Sequence, residues 1–359
     1  MSSRPIQAAI LSVEGLRLND NEKSLLEKSN PLGVTLFGRN IADKEQVRSL
    51  VKEIREVIGR NDVLIATDQE GGRVRRLREP EYIAYASQNT LGRLAEEKGL
   101  AAARRAVICH SLLTANDLKE NLINFNYAPV LDLAYPDTNP VLKSRSFGSD
   151  KQLAAELGNL MLEEYVINGI CPCIKHLPGH GRAKADPHLE LPVIDCSLKE
   201  LENDFYPFQK LNFAPAGMTA HLLITAVDDQ KPITQSKKGI DTVIRGIIGF
   251  DGLLLSDAID MHALKGTIGE RTALSVAAGC DVVCYCLGNY QELLQVTENC
   301  GFMTDKAMER FQTVRDIIGS SALEKAATEY QKLIGEIETY DDTYDATETL
   351  NKMKHKGEK

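Results

Sequence analysis

Eight short apolar runs, separated by helical or polar stretches, constrain this chain more than any other feature. They cover 6–13 (IQAAILSV), 33–37 (GVTLF), 63–67 (VLIAT) and 125–133 (FNYAPVLDL), then 169–174 (GICPCI), 217–225 (GMTAHLLIT), 252–255 (GLLL) and 280–287 (CDVVCYCL). Such near-continuous apolar character predicts strands covered on both faces, as in a parallel sheet. Helices are expected over 42–58, 91–118, 150–167, 198–212, 237–248, 267–278, 290–299, 304–318 and 321–337. In 42–58, Val47, Leu50, Val51, Ile54 and Ile58 form one stripe at the helical period. Eight βα repeats predict an α/β fold of the (β/α)₈ barrel type. A single domain is expected over 1–340, including C-terminal helices, with a polar tail over 341–359. A doubly wound open sheet is the alternative, but no G-x-G-x-x-G follows the first run, which weakens a dinucleotide-binding version.

Composition narrows the function classes. Hydrophobic residues make up 43% of the 359 and charged residues 26%, which excludes a disordered or fibrous chain. The apolar runs are strand-sized, too short to span a membrane. No signal-type apolar segment forms before Glu14, so a cytoplasmic address is expected. A net charge of −9 argues against coating nucleic acid, which relies on Lys and Arg displacing counterions. The one dense basic run, 73–78 (RVRRLR), reads as a local anion or sugar contact. The C-x-C pairs Cys171/Cys173 and Cys284/Cys286 lie in strand-like runs and read as buried free thiols, which suits a reducing compartment.

Barrel chemistry sits at the C-terminal ends of strands, and here those ends are rich in reactive side chains. The third run leads into Asp68-Gln-Glu-Gly-Gly-Arg73, the fourth reaches Asp132, and the fifth continues into Lys175-His176-Leu-Pro-Gly-His180-Gly. His221 lies in the sixth; Ser256-Asp257 ends the seventh, with His262 close behind. Asp257 is either an N-cap for the next helix or a carboxylate facing a pocket. Asp68, beside two glycines, either shapes a turn or contacts substrate. Asp186 and His188 share a face in an extended loop. An Asp that fixes the tautomer of a His raises its basicity, which is a general acid/base device. A metal set built from His176, His180, His188 and Asp186 is the competing view of that loop, since those ligand types suit zinc.

The runs DQEGGRV (68–74), NFNYAPVLDL (124–133), SRSFGSD (144–150), KHLPGHG (175–181), DPH (186–188), MTAHL (218–222) and SDAIDM (256–261) together resemble glycoside hydrolase family 3. The resemblance is closest to its compact single-barrel β-N-acetylglucosaminidases and extends from residue 6 to about 290 in collinear order. It implies a barrel enzyme that removes non-reducing N-acetylglucosamine from cell-wall fragments (muropeptides) with retention at the anomeric carbon. It also implies Asp257 as nucleophile, His188 as acid/base with Asp186 as partner, and Asp68, Arg76, Arg145, Lys175 and His176 as sugar-binding residues. Two positions depart from the family pattern: Pro187 stands inside D-x-H, and Ala258 follows Asp257 where a second acidic residue is common.

Retaining hydrolysis needs a nucleophile and an acid/base on opposite sides of the glycosidic bond. No metal or other cofactor is expected, and the partner is a small carbohydrate rather than nucleic acid or membrane, bound by a monomer. Phosphorolysis by the same family, a metal-dependent hydrolase on the same barrel, and a non-catalytic sugar-binding protein are the alternatives.

Overall fold

A computed structural model describes residues 4–185 and 190–319. Eight strands form a closed parallel barrel: β1 (Gln7–Ser12), β2 (Pro31–Thr35), β3 (Leu64–Thr67), β4 (Phe125–Asn126), β5 (Cys171–Leu177), β6 (Ala216–Thr219), β7 (Leu253–Ala258) and β8 (Val282–Cys284). β8 closes on β1 with Ala9 opposite Val283 and Ile10 opposite Cys284. This is the (β/α)₈ barrel expected from the apolar runs.

Strand alternation divides the core into two parts. Ile10, Leu64, Phe125, Cys173, Leu255 and Cys284 belong to the cluster that fills the barrel, whereas Ala9, Leu11, Val34, Ile65 and Val283 pack outward against helices. The helix Asp305–Ile318 adds Phe311 and Val314 to the inner cluster. Its Arg310 reaches Asp251 and Asp281, just before β7 and β8, so it closes the end where strands begin. The opposite end, where strands finish, is left for a pocket. No disulfide joins any of the eight cysteines, all of which lie among the described residues, and Cys171, Cys173 and Cys284 are buried as small core side chains.

Several elements differ from expectation for local reasons. β4 stops at Asn126, well short of residue 133, because Pro129 lacks the N–H that a ladder needs. The sixth run leaves the barrel at Thr219, and its later part, Leu223–Ile224, pairs instead with Val193–Ile194 in a small parallel ribbon. The long helix expected over 91–118 is two helices, Gln88–Lys98 and Leu100–Glu120, broken at Gly99 with φ +89°. An additional helix, Asp20–Ser29, starts from a reciprocal Asn19/Glu22 cap. The expected helix over 321–337 and the tail over 341–359 lie outside the described residues. No helix among the described residues is long and apolar enough to cross a membrane.

Candidate active site

β7 runs through three buried leucines and delivers Ser256 and Asp257 to the end of the barrel where strands finish. Ser256 faces β8, its Oγ accepting the Cys284 N–H at 3.0 Å. Asp257, the next residue, lines the pocket together with Asp68, Arg76, Lys175 and His180. Its Oδ1 accepts the Ala258 N–H at 2.7 Å, which fixes the carboxylate. The next helix is capped by Thr267, so Asp257 is not an N-cap. The pocket has roughly 900 Å³ of empty space, its open mouth included.

The same pocket is lined in part by a charged network drawn from β5 and from the loops that follow β3 and β4. Asp68, just past β3, accepts Lys175 Nζ at 2.8 Å and Arg76 Nη2 at 3.0 Å. Lys175 on β5 also reaches Glu70 Oε1 at 2.6 Å. Arg145 donates to both oxygens of Glu70 at 2.8 Å, the fork geometry of a bidentate pair. Burial alone would raise the pKa of Asp68, yet Lys175 and Arg76 outweigh it and hold the carboxyl well below its usual range. Glu70 is likewise held low against burial by Arg145 and Lys175. Burial would discharge Lys175, but Asp68 and Glu70 keep it charged.

Gly71 lets this loop fold tightly. Its φ is +98°, and a side chain there would collide with the Ala86 carbonyl.

A second cluster surrounds Asp132. Its Oδ2 accepts a hydrogen bond from His176 Nδ1 at 2.6 Å, and its Oδ1 accepts the backbone N–H of His180 at 2.7 Å. Arg145 can only donate, and its Nη2 lies 3.3 Å from His176 Nε2. His176 Nε2 is therefore the acceptor and Nδ1 carries the proton. Both nitrogens of His176 are engaged, which leaves it no lone pair for the metal set considered from the sequence. The His180 ring stands edge-on to His176 with centroids 6.0 Å apart.

Asp257, Asp68, Arg76, Arg145, Lys175 and His176 are thus brought to one pocket. Asp186 and His188 lie outside the described residues. Glu70 was not singled out from the sequence, although its position two residues after Asp68 hinted at a shared face. Asp132 was visible as a strand-end carboxylate, but its pairing with His176 was not. His221 is structural: Nδ1 meets Thr234 Oγ1 at 2.8 Å and Nε2 meets the Ala258 carbonyl at 2.9 Å. Of the four arginines in the basic run 73–78, Arg76 lines the pocket, beside Val74. Arg73 reaches the Val141 carbonyl, and Arg75 pairs with Glu79.

Residues 6–317 match the Glycosyl hydrolase family 3 N terminal domain. The chain is 34% identical over 287 residues to a Beta-hexosaminidase of Bordetella avium, covering 79% of this chain and 81% of that protein. A Beta-hexosaminidase of Tolumonas auensis is 36% identical over 291 residues, covering 77% of this chain and 82% of that protein. Among solved structures, NagZ from Neisseria gonorrhoeae in complex with N-trifluoroacetyl-D-glucosamine superposes with a TM-score of 0.81 at 29% identity. That match covers 92% of this chain and 97% of the other. A family 3 beta-N-acetylglucosaminidase from Paenibacillus sp. FPU-7 gives a TM-score of 0.79 at 25% identity, covering 97% of this chain and 67% of that one.

Proposed function

The chain belongs to glycosyl hydrolase family 3 and is a β-N-acetylhexosaminidase, and from that premise we propose that it releases terminal N-acetylglucosamine with retention, using Asp257 as nucleophile. One observation carries this: the Asp257 carboxylate ends β7 in the same pocket as the Asp68–Lys175–Arg76 cluster. A carboxylate beside fixed hydroxyl-binding groups is what nucleophilic glycoside cleavage requires.

In this account Asp257 forms a bond to the anomeric carbon as the glycosidic carbon–oxygen bond breaks. The leaving oxygen takes a proton from His188. Neutral His188 then removes a proton from water, whose oxygen displaces Asp257 and completes hydrolysis. Asp186 orients His188. These two roles rest on the D-x-H motif alone. Asp68 accepts from sugar hydroxyls, and Arg76 brings Nε and Nη1, both buried without a partner among the described residues. Lys175, Arg145 and His176 complete the sugar-binding wall.

The substrate is taken to be N-acetylglucosamine joined to anhydro-muramic acid peptides, released during wall recycling in the cytoplasm by a monomer. Eight cysteines that form no disulfide suit that reducing setting. The test is release of p-nitrophenol from p-nitrophenyl N-acetyl-β-glucosaminide. Asp257→Ala is expected to lower kcat by on the order of 10⁴-fold or more; near-normal turnover overturns the assignment.

A further inference from the structure

His180 is the buried titratable group that the chemistry above leaves unused. The chain leaves β5 through Pro178 and Gly179, and His180 follows with its backbone N–H tied to Asp132 Oδ1 at 2.7 Å. Its side chain lines the same pocket as Asp257, Lys175 and His176. The residue is only 2% exposed, yet neither ring nitrogen has a hydrogen-bond partner among the described residues. Buried polar groups are nearly always partnered, so two unpartnered nitrogens on one pocket-lining ring ask for an occupant. His221 shows the contrast: it is equally buried, but Thr234 and the Ala258 carbonyl use both of its nitrogens.

The chemistry of the ring selects the occupant. Burial pushes the His180 pKa down to about 4, so at neutral pH the imidazole offers one N–H donor and one lone-pair acceptor. An anion would want two donors. A hydroxyl both donates and accepts, and it matches a neutral imidazole on either nitrogen. A metal ion would want further ligands, and the neighbouring His176 has none to give, because Asp132 and Arg145 occupy its nitrogens.

We propose that His180 is a further substrate-binding residue, whose imidazole exchanges a hydrogen bond with one hydroxyl of the bound N-acetylglucosamine ring. This rests on the glycosidase assignment above and extends it to a residue outside the network of Asp68, Glu70, Lys175 and Arg145. A tightly held water is the other source of the same hydroxyl chemistry, and the experiment separates the two.

The measurement is kcat/KM for wild type, His180→Phe and His180→Gln on p-nitrophenyl N-acetyl-β-glucosaminide and on its 3-, 4- and 6-deoxy analogues. Phe keeps a planar ring without nitrogens; Gln keeps a donor and an acceptor. His180→Phe is expected to lose about 10- to 100-fold on the parent glycoside and nothing further on the one analogue lacking the partner hydroxyl. His180→Gln is expected to recover part of the loss. A loss equal on all four glycosides points to water or to packing and overturns the proposal, as does no loss at all. A second measurement needs no variant. The imidazole ¹⁵N resonances of His180 in the wild type should shift when N-acetylglucosamine is added, while those of His221 stay; an unmoved His180 overturns the proposal. Wild-type turnover separates the two levels. A wild type that releases no p-nitrophenol overturns the glycosidase assignment and this proposal with it. Normal wild-type turnover with an unaltered His180→Phe overturns this proposal alone.

Discussion

Two largely enclosed ionic clusters sit at opposite ends of the barrel, both built on carboxylates held by arginines and left in opposite states. Where the strands begin, Asp281 accepts Arg245 Nη2 at 3.0 Å, Arg310 Nη1 at 2.8 and 3.1 Å, and the Leu254 N–H at 2.9 Å. Arg245 gives its other terminal nitrogen to the Phe250 and Gly252 carbonyls at 2.8 and 2.9 Å. This cluster is closed and joins β7 to β8. Where the strands finish, the carboxylates of Asp68 and Glu70 are likewise satisfied, but Arg76 Nε and Nη1 and both nitrogens of His180 have no partner among the described residues. Charge and burial are common to both ends. What separates a binding site from a structural clamp is the set of hydrogen bonds left unmade.

The largest effect that can break this contrast comes from Lys175→Met. Removing the shared cation takes one charged partner from each of Asp68 and Glu70, which keep only Arg76 and Arg145. A stability loss of about 3–5 kcal/mol is expected from denaturant titration. kcat/KM per folded molecule should also fall by about 100-fold, because the sugar-binding wall shifts. Unchanged kinetics would place the network outside the binding machinery. Asp281→Asn addresses the closed end. It should cost about 3 kcal/mol in the same titration while kcat and KM of the folded enzyme stay at wild-type values. An altered KM would mean that the closed cluster also serves the pocket.

A further contrast is in pH dependence. His110 and His180 are both pushed down to about 4 by burial. Between an ordinary pKa near 6.5 and that value the unfolded chain binds more protons than the native one. Stability therefore falls as pH drops through this window, by up to roughly 1.4 kcal/mol per pH unit for each group. Asp68 and Glu70 have lowered pKa values, so their contribution is lost only at pH below the usual carboxylate range. His180→Asn should flatten the stability profile between pH 6.5 and about 4 without changing the loss at lower pH. A profile as steep as wild type would show that this imidazole is not held neutral.

Much of this architecture was legible in the sequence, for a local reason. A parallel barrel strand is apolar on both faces, so runs such as LLL before Ser256-Asp257 mark themselves, and their ends mark the pocket. The less legible parts depend on partners distant in the chain. Glu70 looks like an ordinary loop acid until Arg145, 75 residues later, folds onto it. Asp132 lies on the strand-four side and acquires its meaning only from His176 and His180 after β5. Strand lengths failed where backbone chemistry overrode hydrophobicity, at Pro129 and at the exit of the chain after Thr219. The roles of Asp186 and His188 rest on the D-x-H spacing alone.

The most direct test of the central claim is identification of the residue that carries the glycosyl group during turnover. The enzyme would be treated with a 5-fluoro glycosyl fluoride of N-acetylglucosamine, which slows release of a covalent intermediate, then digested and sequenced by mass spectrometry. The account predicts one added sugar, on the Asp257 side chain. A sugar on any other residue, or stoichiometric inactivation with no covalent adduct, would contradict it.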